Sequence, residues 1–259
     1  MFSDEYVKLV DTMPQKNLDS SIVQAARVSY SNSGSVSKRS DEGLIRYLMR
    51  NHHNTPFEMV EFKFYIKMPI FVARQHFRHR TASINEISAR YSQVETEFFV
   101  PNQYRSQSTI NKQCSDGPID LDSTHQSDSC KEAFRVYHEL LDAGCSRELA
   151  RCHLPQSTFT EFFWKINLHN LMHYLQLRMA PDAQQEIRDY AQLIYKIVEP
   201  LLPLTMKAFM DFRVNAITLS GSEIESIKNG TVMNNKSEQR ELDEKKNILG
   251  LTSSFFSSE

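Results

Sequence analysis

The sequence predicts an α+β fold in which several amphipathic helices pack around a few strands. Stretches with apolar residues at helical spacing are interspersed with shorter stretches in which polar and apolar residues alternate. We find no strand–helix–strand repeat that would predict a parallel sheet, and no internal repeat. The 7 glycines form neither GxGxxG nor GxxxxGKS/T, so the predicted fold is non-Rossmann and has no P-loop.

The first 100 residues predict three strands and three helices. Strands are expected at residues 7–10, 61–67 and 94–100, because alternation as in 61–67 is the period of a half-buried strand. Residues 21–29 predict a short helix, and the serine- and glycine-rich stretch that follows, residues 31–40, predicts a loop.

The second helix of this half is expected to start at Ser40 or Asp41 as its cap and to end near Asn51, ahead of Pro56. The third helix starts at Pro69, a residue suited to a first helical turn. It carries Gln75, Arg78 and His79, and so delivers polar groups into the segment that follows.

Beyond residue 100 the pattern is mainly helical. Residues 102–129 show no clear period, and a loop of this length in a compact domain is expected to be functional or disordered. A helix is then expected from Ser127 or Asp128 to Gly144, followed by a short helix that carries Arg147 and Arg151. Residues 159–166 are aromatic and predict a strand or a segment that lines the core.

Asn167 is expected to cap a helix with faces of different character. One face carries His169, His173 and Gln176, and Arg178 falls roughly opposite the histidines at about 100° per residue. A third face is apolar: Leu168, Leu171, Met172 and Leu175. After a break at 180–182, a long helix runs to residue 198, and a last helical piece covers 204–212.

The domain boundary is predicted where the helical and strand patterns of apolar residues end. We predict one catalytic α+β domain over residues 1–219. Residues 220–259 are polar and aperiodic, apart from a weak helical run near 238–247, and predict a flexible C-terminal tail.

Composition excludes several classes of function. The net charge is −2, so the molecule is not built to coat nucleic acid or an anionic membrane, and no apolar run approaches the roughly 20 residues that span a bilayer. The first residues lack the pattern of a signal peptide. The four cysteines form no CxxC pair and are expected to be free thiols in a reducing cytosol, which predicts a cytoplasmic protein.

The most unusual stretch is residues 78–91, with three arginines, a histidine, two serines, an asparagine and one glutamate. Arginine offers a rigid fork of donors that matches phosphate and carboxylate oxygens. Two interpretations follow from the residues alone. One is a salt-bridged surface loop, and the other is an anion site for a phosphorylated ligand, in which side chains replace a glycine-rich backbone cradle.

The spacing within this stretch resembles the signature of the flavin-dependent thymidylate synthases. Every specified position of the motif is filled, by Arg78-His79-Arg80, Ser83, Asn85-Glu86, Ser88 and Arg90-Tyr91. The resemblance extends from about residue 25 to about residue 212 and includes residues 53–58, 151–155 and 167–178. It implies mixed helices around a small, mainly antiparallel sheet.

The resemblance also implies a reaction and its partners. Relatives convert dUMP to dTMP by reductive methylation, with methylenetetrahydrofolate as carbon donor and NADPH as reductant of an FAD cofactor. They form homotetramers whose sites are shared between subunits, and no metal, nucleic acid or membrane is expected. No enzyme cysteine need attack the pyrimidine.

Site residues are carried over position by position. The resemblance implies a catalytic role for Arg178, where a cation favours ionisation of the pyrimidine. It implies that dUMP is held by Gln75, His76, Phe77, Arg78, Glu86, Ile87, Ser88, Ala89, Arg90, Arg151 and Arg178. It implies that FAD is held by His53, Thr55, Arg78, His79, Arg80, Thr81, Glu86, Asn167, His169 and His173. The sequence has Asn54 and Met59 where relatives often have Glu and His, and relatives often have Arg and Asn at the positions of His169 and His173, respectively.

Alternatives from the residues alone remain open beside these assignments. His53 is compatible with an exposed helix end, and Arg151 and Arg178 with ordinary helix-surface arginines. The i,i+4 pair His169 and His173 has a spacing that can bind zinc. The competing classes are a phosphate- or RNA-binding module, a di-histidine metalloenzyme and a catalytically inactive relative.

Overall fold

The computed structural model describes residues 6–28, 39–109 and 114–251. The chain forms two compact units, Met1–Val214 and Asn215–Glu259. The strands are β1 (Val7–Met13), β2 (Glu61–Pro69), β3 (Ser83–Glu86), β4 (Tyr104–Gln107), β5 (Ser115–Ile119) and β6 (Phe159–Asn167). The helices of the first unit are α1 (Leu18–Arg27), α2 (Asp41–Arg50), α3 (Thr55–Glu58), α4 (Ile70–His76), α5 (Thr124–Asp142), α6 (Arg147–Ala150), α7 (Leu168–Arg178), α8 (Gln185–Val198) and α9 (Pro203–Phe209).

The larger sheet is antiparallel with the strand order β1-β2-β6-β3. β2 and β6 lie at its centre, and their alternation sends Phe62, Phe64, Phe162 and Trp164 into the core. The short strand β3 is an edge strand that pairs only with β6 in this sheet. The predicted α+β class and mainly antiparallel sheet are confirmed.

The helices cover the inner face of this sheet and enclose a single large apolar core. α7 packs on α8 and α3, while α2 packs on α9 and α1. Ser40 caps α2 as predicted, since its hydroxyl accepts a hydrogen bond from the amide of Gly43. α9 begins at Pro203 and is capped from a distance, because the Asp19 carboxylate accepts from the amides of Leu204 and Thr205. The core therefore fixes the ends of α4 and α7, which carry candidate site residues.

Two predictions for the middle of the chain are wrong. Residues 94–100 form no strand. Their alternating residues find only one bridge to a neighbour, between Phe98 and Thr158. Residues 102–129 are not one long loop, because β4 and β5 form a two-stranded antiparallel sheet and α5 begins already at Thr124. Between these strands, residues 110–113 lie outside the described residues.

The second unit contains two helices where an aperiodic tail was predicted. α10 (Gly221–Asn229) starts with a capping box, in which Ser220 and Glu223 exchange side-chain-to-backbone hydrogen bonds. α11 (Lys236–Ile248) covers the weak helical run noted in the sequence. Lys245 pairs with Glu223, and Leu242 is buried. The flexibility of the segment stays a prediction. Residues 252–259, the 31–38 part of the expected loop and the start of the chain lie outside the described residues.

Candidate active site

The arginine-rich stretch leaves one helix, crosses the sheet edge and ends in a turn. At its start, the amides of Arg78 and His79 donate to the carbonyls of Gln75 and His76 at the end of α4. After β3, the amide of Ile87 donates to the carbonyl of Glu161 at 2.9 Å. β3 has four residues at about 3.3 Å each, so the two ends of the stretch are about 10 Å or more apart.

At the far end of the stretch, Ser88 organises a turn. Its carbonyl accepts from the amide of Tyr91 at 3.0 Å, and its hydroxyl lies 3.3 Å from the amide of Arg90. The turn gathers backbone amides, a hydroxyl and the exposed Arg90 side chain in one place. These are donors of the kind that bind a phosphate.

The arginines of the candidate site have no acidic partners. Within the described ranges, no carboxylate lies within ion-pair distance of five of them: Arg78, Arg80, Arg90, Arg151 and Arg178. Elsewhere Arg27, Arg46, Arg105 and Arg135 each pair with an acidic side chain, although other described arginines such as Arg50, Arg74 and Arg147 also have no ion pair. The missing ion pairs argue against the salt-bridged loop and are compatible with the anion site.

A cavity of about 400 Å³ opens beside the Ser88 turn, a volume in the range of small-molecule sites. Ser88, Ala89 and Arg151 line one side of it. Glu86 also lines it and accepts a hydrogen bond of 2.6 Å from the Thr160 hydroxyl. The sequence positions Arg151 here because α6 ends in a tight turn, Arg151–His153, that exposes the guanidinium.

The lining of this cavity also includes a cluster in which one lysine is neutralised by two carboxylates. Lys67 donates to Glu97 and lies 3.7 Å from Glu161, whose carboxylate also accepts from the Tyr65 hydroxyl. Burial and the hydrogen bond to Glu161 raise the pKa of Tyr65 to about 12. Although partial burial acts in the other direction, the carboxylates of Glu97 and Glu161 raise the pKa of Lys67. Tyr65 thus stays a neutral donor and Lys67 stays charged.

A second group of polar side chains lies at the start of the stretch. The Nε of Arg178 donates to Nε2 of His79 at 3.0 Å, and one Nη donates to the carbonyl of Gln75 at 3.4 Å. Because His79 accepts at Nε2, its ring is neutral and carries its proton on Nδ1. Burial, Arg178 and His173 lower the pKa of His79 to about 4. His79 therefore orients Arg178 without sharing its charge.

A small cavity of about 150 Å³ lies on the other side of α7. It is lined by His169, His173 and Gln176, together with His52 and Asn54 from the α2–α3 connection. The His173 ring is 6.0 Å from the ring of His79, so this cavity adjoins the Arg178 group. In the described ranges, no three or more His, Cys, Asp or Glu side chains are grouped so as to hold a metal ion.

Comparison with known proteins separates the classes of function that the residues alone left open. A family model described as thymidylate synthase complementing protein matches residues 8–204. A flavin-dependent thymidylate synthase from Dictyostelium discoideum is 46% identical over 256 residues, which cover 94% of this chain and 84% of that protein. Another from Thermus thermophilus is 50% identical over 226 residues, which cover 86% and 82%. The chain belongs to the flavin-dependent thymidylate synthase family.

Solved structures agree with this family assignment. A UMP/dUMP methylase, PolB from Streptomyces cacaoi, is similar to this chain in two crystal structures, one bound with 5-Br dUMP and one with 5-Br UMP. The TM-scores are 0.70 and 0.71 at 35% and 36% identity, and each match covers 80% of this chain and 95% of the other. The expected flavin-dependent thymidylate synthase-like fold is confirmed. No helix in the described part of the chain is long and apolar enough to cross a membrane.

The family's substrate positions fall into two groups in this chain. Glu86, Ile87, Ser88, Ala89 and Arg151 line the larger cavity, with Arg90 in the adjoining turn. The second group is made by Gln75 and Arg178, with Arg78 exposed beside them in sequence. Within the described residues, neither the larger nor the small cavity is lined by both groups.

Two aromatic positions of the expected substrate set pack in or against the core. His76 is 0% exposed, its Nδ1 lies 3.1 Å from the Tyr174 hydroxyl, and its ring is 4.3 Å from the ring of Trp164. Burial, His79 and Arg178 lower its pKa to about 3. Phe77 packs edge-on against Phe162 at 5.0 Å. The substrate assignments of His76 and Phe77 stay predictions, and the inward turn of the His76 side chain from α4 leaves its backbone as the part that could meet a ligand.

The family's flavin positions gather around α7, with one exception. His169 and His173 line the small cavity, His79 contacts His173, and Asn167 caps α7. The remaining members flank this region in sequence: His53 and Thr55 beside Asn54, and Arg78, Arg80 and Thr81 in the exposed bend before β3. Glu86 lies in the larger cavity instead. Contrary to the expectation that Arg178 lies opposite His173, the two side chains meet at His79, since a long arginine side chain leans back along its helix.

Sequence reasoning missed His52 and Gln184. His52 lines the small cavity and has a φ of 58°, in the left-handed region that favours glycine. It closes α2 because its amide and that of His53 donate to the carbonyls of Met49 and Leu48. A histidine where a helix end favours glycine was the available signal. Gln184, which contacts Gln75, left no pattern in the sequence.

Proposed function

We propose that this chain converts dUMP to dTMP by reductive methylation, with methylenetetrahydrofolate as carbon donor, NADPH as reductant and FAD as the flavin. The proposal rests on one observation above others. The signature arginines Arg78, Arg80 and Arg90 have no acidic partner within the described ranges. Arg90 belongs to the donor-rich turn beside the larger cavity, while Arg78 and Arg80 are exposed ahead of β3. A phosphorylated ligand supplies the missing negative charge.

The residues around α7 fit a flavin nucleotide. Arg78 and Arg80 are exposed cations that suit a pyrophosphate, and the small cavity offers imidazole and amide groups that suit polar edges of a flavin. The contacts would be completed by His53, Thr55, His79, Thr81, Asn167, His169 and His173. The bound flavin supplies the hydride chemistry, while the chain provides orientation and electrostatics.

Substrate binding is assigned to both groups of polar side chains. Arg151, Arg90, Ser88 and the amides of its turn would hold the phosphate of dUMP, with Glu86, Ile87 and Ala89 along the wall of the cavity. Arg178, with Gln75 and Arg78, would hold the pyrimidine. Arg178 has further donors after its bonds to His79 and Gln75, and its permanent charge favours the pyrimidine ionised at N3.

Because one chain separates these groups, we propose that they meet across a subunit interface in a homotetramer. The turn at Ser88 of one subunit would face Arg178 of another. The location proposed for this assembly is the cytoplasm, which is supported by the four unpaired cysteines.

The purified protein tests this function directly. We expect it to be yellow with bound FAD, to be bleached by NADPH without oxygen, and to form dTMP only when dUMP and methylenetetrahydrofolate are both present. A colourless protein that also fails to take up added FAD would refute the proposal. A flavoprotein that oxidises NADPH but forms no dTMP would mark a catalytically inactive relative.

A further inference from the structure

A buried carboxylate, Glu186, lies in the first turn of α8 behind the candidate site. Its side chain is 5% exposed and has two donors. Arg105 of β4 donates to Oε1 at 2.6 Å, and the side-chain amide of Gln184 donates to Oε2 at 2.7 Å. Arg105 also donates to the Ser115 hydroxyl of β5 at 2.9 Å, which holds it in place. A carboxylate bound at both oxygens in this way is fixed in its orientation.

The contact continues from Gln184 into the candidate site. The side-chain oxygen of Gln184 accepts from Nε2 of Gln75, at the end of α4. The backbone carbonyl of the same Gln75 accepts from Arg178. The described residues give no hydrogen-bond partner to Oε1 of Gln75. Four side chains thus form one chain of hydrogen bonds from the β4–β5 hairpin to the site.

This chain has only one possible direction. An ionised carboxylate accepts and never donates, so Gln184 must turn its NH₂ group toward Glu186. Its oxygen then faces Gln75, which must present its own NH₂ group in return. The remaining outward acceptor of Gln75 is its side-chain carbonyl oxygen. Both glutamines are fixed in orientation by the charge of Glu186, which lines neither of the two candidate-site cavities described above.

We propose that Glu186 and Gln184 are positioning residues that set the polarity of Gln75, so that its side-chain carbonyl oxygen accepts from a donor of the substrate. This rests on the proposed function, in which Gln75 binds dUMP. The nucleotide has two donors outside its phosphate, the N3–H of the pyrimidine and the 3′-hydroxyl of the sugar. The N3–H is lost when the pyrimidine ionises beside Arg178, so the 3′-hydroxyl is the donor that remains. This chain of hydrogen bonds, called the relay below, would therefore select nucleotides with a 3′-hydroxyl.

The β4–β5 hairpin also contacts the connection between α7 and α8, which leads to Gln184. The Sγ of Cys114 donates to the carbonyl of Asp182 at 2.9 Å, in the connection between α7 and α8. Arg188 donates to the carbonyl of Pro181 at 2.7 Å in that connection. The connection that follows Arg178 is thus tied down, which keeps Gln184 within reach of Gln75.

Ligand discrimination tests the relay. Binding of dUMP, an N3-methylated analogue and a 3′-deoxy analogue is measured with the wild type, Glu186→Gln and a control, Asp19→Asn. In the wild type, we expect the 3′-deoxy analogue to bind at least about tenfold more weakly than dUMP, the contribution of one hydrogen bond. In Glu186→Gln, whose amide can also donate, that discrimination should fall about tenfold. Asp19→Asn weakens the cap of α9 and should lower Tm without changing the discrimination.

A ligand-free measurement keeps the relay testable if no nucleotide binds. Gln75→Glu places an acceptor against the oxygen of Gln184, so it should lower Tm in the wild-type background. In the Glu186→Gln background Gln184 can turn round, and the same substitution should cost much less. An equal Tm loss in both backgrounds would overturn the relay, as would unchanged discrimination in Glu186→Gln. A wild type that binds no nucleotide while the Tm coupling is present would refute the proposed function and leave the relay standing.

Discussion

Arg178 is held by two acceptors that do not neutralise it, a neutral His79 ring and the carbonyl of Gln75. A charge fixed in this way is prepared for negative charge that develops in a transition state. We expect Arg178→Ala to keep FAD and its reduction by NADPH but to lose dTMP formation by on the order of 100-fold or more. Arg178→Lys should restore little, because a point charge does not replace a planar fork.

Measurements of dTMP formation and of anaerobic flavin reduction, side by side, check this prediction. Both variants are first compared with the wild type for assembly. If Arg178→Ala forms dTMP at a near-normal rate, Arg178 has no part in the mechanism. Loss of FAD together with activity would assign it a structural role.

His76 makes the free energy of unfolding depend on pH. The unfolded chain binds a proton near pH 6.5, whereas the buried ring binds one only near pH 3. Stability is therefore present above pH 6.5 and is lost as pH falls toward 3, by up to about 1.4 kcal/mol per pH unit. His76→Phe should flatten this dependence between about pH 6 and 4 in urea unfolding. An unchanged slope would show that the ring is not buried in its neutral form.

The helix α7 carries the candidate contacts His169, His173 and Arg178 and is capped by a fourth, Asn167, so its start is tested separately. The side-chain oxygen of Asn167 accepts from the amide of Asn170 at 2.9 Å. Asn167→Ala should cost about 1 kcal/mol of stability, while Asn167→Asp keeps the cap and should cost little. Chemical unfolding and FAD titration of both variants separate the two roles. Weakened FAD binding in both would support a direct contact, whereas a loss confined to Asn167→Ala would point to the cap.

The elements predicted correctly from the sequence are those whose residue pattern matches the neighbour against which they pack. β2 and β6 alternate and lie side by side, and α7 has both a cap and a continuous apolar face. Residues 94–100 alternate equally well, yet form only a single bridge. The β4–β5 hairpin shows the reverse case. Its polar residues carry no period, and it is held by backbone pairing and by the ion pair of Arg105 with Glu186. Local pattern cannot show a partner that is distant in sequence.

The same reasoning applies to the site. The composition of residues 78–91 indicated an anion site, because arginine and serine side chains are donors to a phosphorylated ligand. The motif did not show that the Ser88 turn and the Arg178 group are separate places. Ser88 lies within the motif, and so does His79, which contacts Arg178. Burial of His76 also escaped prediction, because which side of α4 faces the core depends on packing against β6.

For the whole molecule, the separation of the two groups predicts complementation between inactive variants. If each active site takes Arg151 from one subunit and Arg178 from another, mixed tetramers of Arg151→Ala and Arg178→Ala regain intact sites. Random mixing should restore about a quarter of the sites. The measurement is dTMP formation after the two variants are unfolded and refolded together. Each variant refolded alone is the control, and no gain on mixing would place both residues in the same subunit's site.

The structure of the second unit predicts that the C-terminal segment can be removed with little effect on the first unit. Its core is small and internal, built around Leu242 and the Glu223–Lys245 pair. Truncation after Ser220 should therefore leave folding and activity of the first unit largely intact. Thermal unfolding, assembly and dTMP formation of the truncated chain check this. Dissociation or loss of activity would show that α10 and α11 contribute to the assembly.

The edge strand β3 also predicts that the motif cannot accept an insertion or a deletion. Within it, Ile84 packs against the core and Glu86 meets Thr160 on the same face, while Ser83 and Asn85 point the other way. One residue added or removed between the Arg78 and Ser88 ends would exchange these faces, and would turn Glu86 away from its cavity. The number of residues between the specified positions of the motif is therefore determined by the alternation of side chains along β3. Any relative with a gap at this point is expected to have lost the site, however well its other residues match.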